Sequence, residues 1–198
     1  MGKWLIGVDE AGRGPFAGPV TLALFAAPRR LGARLFAGIR DSKKLSASAR
    51  EAWFTKFKAE PRVFFCSTSV GPHSIDRWGI AKAIRRGIRR MLMRALKKHA
   101  SLRGGSCETI LLDGSLSAPS EYPQKTIIKG DEKVPVIAAA SIIAKVRRDR
   151  YMVRLAKKYP QYGFEIHKGY GTKLHRERIR KHGLCDAHRR SFCAKYAN

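Results

Sequence analysis

The sequence predicts an α/β protein: a mixed central β-sheet flanked by helices. Three observations carry that prediction. Short runs rich in β-branched and aromatic residues recur along the first two thirds of the chain, and longer segments with apolar residues at helical spacing lie between and after them. Neither an internal repeat nor a Pro/Ser-rich linker divides the 198 residues, which suits one domain spanning 1–198.

The elements follow in order. "KWLIGVD" from Lys3 and "GPVTLALFAAP" from Gly18 read as the first two strands. The segment Ser48 to Glu60 reads as a helix that opens on a capping box, Ser48 with Glu51, and stops at Pro61. "RVFFCSTSV" from Arg62 is the third strand. One long helix is expected from Ile75 to His99, because Ile80, Ile84, Ile88, Leu92 and Leu96 recur every four residues. Arg85, Arg86, Arg89, Arg90, Arg94, Lys97 and Lys98 occupy the rest of it, a face that is either solvated or turned to phosphate. "ETILLDG", with Asp113, and the short "QKTIIKG" before Asp131 are two more strands. Helices from about Val136 through Lys158 and from about Thr172 to Gly183 complete the chain.

Composition narrows the function. The chain has 41 Lys and Arg against 15 Asp and Glu, a formal charge of +26, and the self-repulsion this entails calls for a polyanionic partner, nucleic acid before any other. No apolar run approaches the length of a membrane span. Asp9 and Glu10 interrupt the first apolar run before it could serve as a signal-peptide core, so a cytoplasmic protein is expected. Cys66, Cys107, Cys185 and Cys193 form no C-x-x-C pair and suit reduced thiols. His182, Cys185, His188 and Cys193 fall close together near the C-terminus, but their spacing fits no common zinc finger.

In so basic a chain the places of the acids are informative. Asp9 and Glu10 end one predicted strand, Asp113 ends another, and Asp131 follows a third; strand ends are where sites collect in α/β folds. Each alone reads as a turn or cap residue. Gathered together they would repel and would require a cation, and all-oxygen ligation selects a hard ion, Mg²⁺ or Mn²⁺. With a phosphate-rich substrate the implied chemistry is hydrolysis assisted by two ions about 3.5–4 Å apart.

At these residues the sequence resembles the type 2 ribonucleases H, and specifically bacterial ribonuclease HII. "GVDEAGRGPFAGPV", "DSKKLS" from Asp41, "KGDEKVPVIAAASIIAKVRRDR", "YPQYGFEIHKGYGTKLH" and "HRRSF" match that family's blocks in the same order over nearly the whole chain. The resemblance implies a ribonuclease H-like fold with a C-terminal helical part, about residues 160–198, that helps hold substrate. It implies catalytic and metal-binding roles for Asp9, Glu10, Asp113 and Asp131; Asp149, in "RRDR", also lies in a matching block, but its Arg neighbours make it a surface ion pair. Gly12, Arg13 and Gly14 would read the 2′-hydroxyl of a ribonucleotide, Tyr170 would pack on the following sugar, and Lys43, ahead of Lys44, would contact the phosphate near the cut. The implied substrates are RNA·DNA hybrids and duplex DNA with an embedded ribonucleotide, acted on by a monomer. The sister ribonuclease HIII usually carries an extra N-terminal domain, for which the eight residues before Asp9 leave no room. A non-catalytic basic nucleic-acid-binding protein is the reading from a different class. Two departures from the family pattern stand out, Ser115 after Gly114 and Gly79 where an Asn is usual.

Overall fold

The computed structural model describes residues 4–39, 42–98 and 109–196, with the side chains of residues 33, 96 and 98 left aside. Arg40, Asp41, His99 and Cys107 lie outside the described residues. Five strands, β1 (Trp4–Ala11), β2 (Val20–Pro28), β3 (Phe64–Val70), β4 (Ile110–Asp113) and β5 (Gln124–Ile127), form one sheet in the order β3-β2-β1-β4-β5. β1 pairs antiparallel with β2, and β2 with β3, while β4 and β5 run parallel to β1. The sheet is therefore mixed, and β1 is its centre.

The helices are α1 (Gly32–Leu35), α2 (Ala47–Ala59), α3 (Pro72–Trp78), α4 (Ile80–Lys98), α5 (Gly130–Lys133), α6 (Pro135–Lys158), α7 (Phe164–His167), α8 (Lys173–His182) and α9 (Arg190–Cys193). Alternation along the strands divides the core in two. Ile6, Val8, Leu22 and Leu24 face α4, which answers with Ile84, Ile88, Met91 and Leu92. Ala23, Phe25 and Ala27 face α2 and α6, packing on Phe57, Ala139 and Ile143. A third cluster, in which Met152, Tyr162, Phe164 and Ala187 surround Ala17, fastens the C-terminal helical part to the far end of α6 and to the loop after β1.

Two local expectations change. The predicted helix from Ile75 to His99 is broken at Gly79, which sits at φ 73°, ψ 153°, a backbone region essentially reserved for glycine. The departure at position 79 thus separates α3 from α4. The cap of α2 lies two residues earlier than expected: Ser46, not Ser48, accepts the Ala49 N–H at 3.1 Å. α8 is capped as its sequence suggests, with Thr172 Oγ1 accepting from the His175 N–H and Gly183 at the C-terminal end. No helix among the described residues is long and apolar enough to cross a membrane.

Candidate active site

The sheet explains how distant acids meet. β1 and β4 are parallel neighbours, with Val8 in register with Leu112, so Asp9 and Asp113 leave adjacent strands at the same end. Both follow residues that point to the α4 face, so both side chains turn to the α6 face. α5 then brings Asp131 in, because the Gly130 N–H donates to Asp113 Oδ1 at 2.6 Å and the Asp131 N–H to the same oxygen at 3.3 Å. One carboxylate oxygen from each of Asp9, Asp113 and Asp131 lies within 4.8 Å of the others, the only such cluster of metal-ligating side chains among the described residues. Its all-oxygen donor set suits a divalent hard cation.

Glu10 stands at the edge of this group. Strand alternation sends it to the other side of β1, where its carboxylate lies 3.8 Å from Arg13 Nη1. Asp9 and Asp131 are buried at 3% and 4% exposure. Burial first, then the neighbouring charges of Glu10 and Asp113, hold the Asp9 carboxyl well above its ordinary range, opposed by hydrogen bonds from Ser141 and from the Glu10 N–H. Glu10 is also raised, chiefly by burial, with Arg13 pulling it back. These are the electrostatics of a site built for cations.

Side chains around the triad are fixed by partners that the sequence does not announce. Ser42 Oγ and Ser141 Oγ meet at 2.7 Å in the interior, joining the "DSKK" segment to α6 and, through Ser141, to Asp9. Lys43 Nζ, beside that anchor, donates to Asp131 Oδ2 at 2.8 Å, and Lys44 pairs with Glu132 at 3.7 Å. Asp149 lies outside the group, paired with Lys145 and Arg50.

The Gly-Arg-Gly turn borders the triad. Arg13 donates to Ser115 Oγ at 2.8 Å, which gives the departure at position 115 a partner. Gly12 is buried at φ 91°, and a Cβ there would lie 1.9 Å from Arg148 Nε. At Gly14 an added Cβ would meet nothing, so the room it leaves opens outward. Two wholly buried guanidinium groups hold the turn from beneath. Arg189 donates to the carbonyls of Gly12 (2.6 Å), Arg13 (2.8 Å) and Gly18 (3.0 Å). Arg148 donates to Pro19 (3.0 Å), Ala17 (3.2 Å) and Lys168 (2.9 Å). In a trans peptide the N–H opposes the C=O, so turning the Gly12 and Arg13 carbonyls onto Arg189 directs the amides of Arg13 and Gly14 the other way. Burial, with Arg148 adjacent, pushes Arg189 down to about 9, which leaves it a cation at neutral pH.

Tyr170 is 44% exposed and its ring centroid lies 5.7 Å from the Arg148 guanidinium. Its backbone is set by a chain of imidazoles whose protons can be placed from their donors. The Cys185 N–H donates to His188 Nδ1 at 3.0 Å, so the His188 proton sits on Nε2 and points at His175 Nε2, 3.1 Å away. The His175 proton is then on Nδ1 and is donated to the Tyr170 carbonyl at 2.9 Å. His167 stacks on His175 at 4.3 Å, accepts the Gly169 N–H and donates to the Tyr162 carbonyl. Burial pushes His175 down to about 3 and His188 to about 4, so the chain is neutral. His188 is thus engaged on both ring nitrogens, and Cys193 Sγ faces the Phe16 carbonyl.

Comparison with known proteins agrees with this geometry. A sequence model of the family described as ribonuclease HII matches residues 6–195. Ribonuclease HII of Hydrogenovibrio crunogenus is 42% identical over 190 residues, covering 96% of this chain and 86% of that protein. Its counterpart in Geobacillus thermodenitrificans is 41% identical, covering 95% of this chain and 68% of the other. Among solved structures, the ribonuclease HII in the complex with PCNA from Archaeoglobus fulgidus superposes with a TM-score of 0.77 at 27% identity, over 96% of this chain and 93% of that one. The matched span takes in the triad, the Gly-Arg-Gly turn and both buried arginines, and the chain belongs to the ribonuclease HII family of ribonuclease H nucleases.

Proposed function

We propose that the protein is an endoribonuclease that hydrolyses the RNA strand of RNA·DNA hybrids and incises duplex DNA on the 5′ side of a single embedded ribonucleotide. Water adds to the scissile phosphorus, the bond from phosphorus to the preceding O3′ breaks, and the departing oxygen takes up a proton, leaving 3′-hydroxyl and 5′-phosphate ends. The observation that carries this reading is the convergence of Asp9, Asp113 and Asp131 within 4.8 Å, next to a turn whose amides are directed outward.

Asp9, Asp113 and Asp131, with Glu10 at the edge, would hold Mg²⁺ or Mn²⁺, and two such ions would supply Lewis acidity and an activated water at the phosphate. The chain's own residues do the rest. Lys43, exposed and within reach of Asp131, is placed to meet a phosphate oxygen at the cut. The Arg13 and Gly14 amides offer hydrogen bonds to a 2′-hydroxyl, which only a ribonucleotide carries. Tyr170 offers an aromatic face to the next sugar, where a second 2′-hydroxyl would crowd it.

The test is incision of duplex DNA bearing one ribonucleotide, with and without divalent cation. Wild type is expected to cut only with the cation, and Asp9→Asn or Asp113→Asn to lose at least about 10³-fold in rate while still binding, as for loss of a group acting on the transition state. Binding without cleavage under every cation would favour the binding-protein reading.

A further inference from the structure

We propose that the groove beside α4 is a second nucleic-acid site, gripping the phosphodiester backbone of the substrate duplex beyond the base pairs next to the scissile bond. The inference rests on the substrate reading above, and it decides between the two roles open to the basic face of α4.

The groove has a volume of about 620 Å³ and lies between the end of β3, α3 and α4; Arg86, Arg89, Arg90 and Arg94 line it together with Trp78 and Ser69, and no lining residue is acidic. A merely solvated charged face leaves its long side chains unrestrained. Here two of the arginines are already fixed. Arg90 donates through Nε and Nη2 to Thr68 Oγ1 at 3.1 and 2.8 Å, and through Nη2 to the Ser69 carbonyl at 2.8 Å. The Arg86 guanidinium lies over the Trp78 ring, 4.2 Å from its centroid. Ordering a rotamer-rich side chain beforehand removes an entropic penalty that binding would otherwise bear. Like charges gathered in one concavity repel, and a polyanion relieves that repulsion; the planar fork of arginine matches phosphate oxygens in particular.

Position supports the same occupant. Ser69 pairs with Thr21, which pairs with Ala11 of β1, so the groove opens at the sheet end that carries Asp9 and Glu10. The triad faces α6 and the groove lies beside α4, so a duplex reaching both must pass over this end of the sheet, a path longer than the two strand spacings, roughly 10 Å, between β3 and β1. Arg86 and Arg89 also line a smaller recess of about 310 Å³ whose opposite wall includes Ser117 and Pro119. That wall belongs to the segment following Asp113, in which Ser115 holds Arg13. An uncharged segment, Ser115 to Pro119, therefore links the Gly-Arg-Gly turn to the arginines of α4, and it offers no acid to repel a duplex arm leaving the catalytic centre in that direction. The contact is to backbone and so independent of base sequence.

The experiment uses the whole protein and the double variant Arg89→Gln/Arg94→Gln, both exposed positions, with a thermal melt to establish that it folds. Cleavage is measured on duplexes of one and of three helical turns, each with one ribonucleotide, across a salt series. The expected result is a rise in KM of about tenfold on the long duplex and a shallower dependence of log KM on log salt, by about 2, with kcat on the short duplex unchanged. Equal changes on both lengths, or no change in KM and salt slope, would overturn the proposal; the latter is also what a groove made for an acidic protein would give. Fluorescence anisotropy with the Asp9→Asn form on an all-DNA long duplex reads the groove without cleavage. Loss of affinity there on adding the two Gln substitutions supports the groove even if the ribonucleotide reading fails, and unchanged affinity counts against the groove alone.

Discussion

Arg189 joins the end of the chain to its beginning. Its fork takes three carbonyls of the Gly12–Gly18 loop, so removing it leaves buried acceptors unpaired, at about 1–3 kcal/mol each. Arg189→Lys keeps the charge but cannot span that geometry, and we expect kcat/KM on a hybrid to fall at least about tenfold with the protein still folded. A Lys variant with wild-type kinetics would show that the turn holds its shape unaided. Ser141 offers a finer probe. Its hydrogen bond favours the charged form of Asp9, so Ser141→Ala should raise the Asp9 carboxyl further and move the acid limb of the pH–rate profile upward. An unmoved limb would place the governing ionisation elsewhere. The three aspartates that converge were legible in the sequence because acids are scarce there, whereas the place of Glu10 at the edge and the parts of Arg148, Arg189 and Ser141 were not. Nothing in "RRDR" or "HRRSF" distinguishes a buried arginine from its solvated neighbours, since burial is decided by packing across the fold.

At the scale of elements, strands and long helices were readable from periodicity, and the misses have local causes. Gly79 breaks a helical pattern through its own backbone conformation, while the apolar spacing continues on either side of it. α5 and α7 span only four residues each, too short to show a period. The imidazole chain behind Tyr170 was hidden for another reason: His167, His175 and His188 come from separate segments and meet only after α7 and α8 fold back. Their depressed basicity gives a signed prediction. In the unfolded chain these rings take up protons near pH 6.5, whereas folded His175 resists until about 3 and His188 until about 4. Between those values the unfolded state binds more protons, so stability is full above 6.5 and falls with decreasing pH, by up to about 1.4 kcal/mol per unit for each ring. His175→Asn retains a donor for the Tyr170 carbonyl and cannot titrate. Its unfolding free energy should decline less steeply than that of wild type between pH 6.5 and 5 in denaturant titrations. Parallel slopes would mean that the chain does not govern acid sensitivity.

For the whole molecule the central fact is an anionic pit in a body of formal charge +26. The surrounding field disfavours metal cations even where the triad attracts them. Nucleic acid cancels that field, so metal and substrate should each strengthen the other's binding by the same factor. Calorimetric titration of Mg²⁺ is expected to show weak binding to the free protein and binding at least about tenfold tighter with a non-hydrolysable hybrid present; equal affinities would refute the coupling. The mixed sheet was anticipated from the order of its strands. That the parallel pairing of β1 with β4 makes the site could not be, because register is a property of the assembled sheet.

The two tasks of such an enzyme are supported from opposite ends of the polypeptide. Under the proposed function, cutting belongs to the innermost strand, among the last parts to unravel, while recognition leans on a turn that Arg189 braces from a late segment. Damage that frays the tail should therefore yield a molecule that still cleaves but has grown careless about what it cleaves.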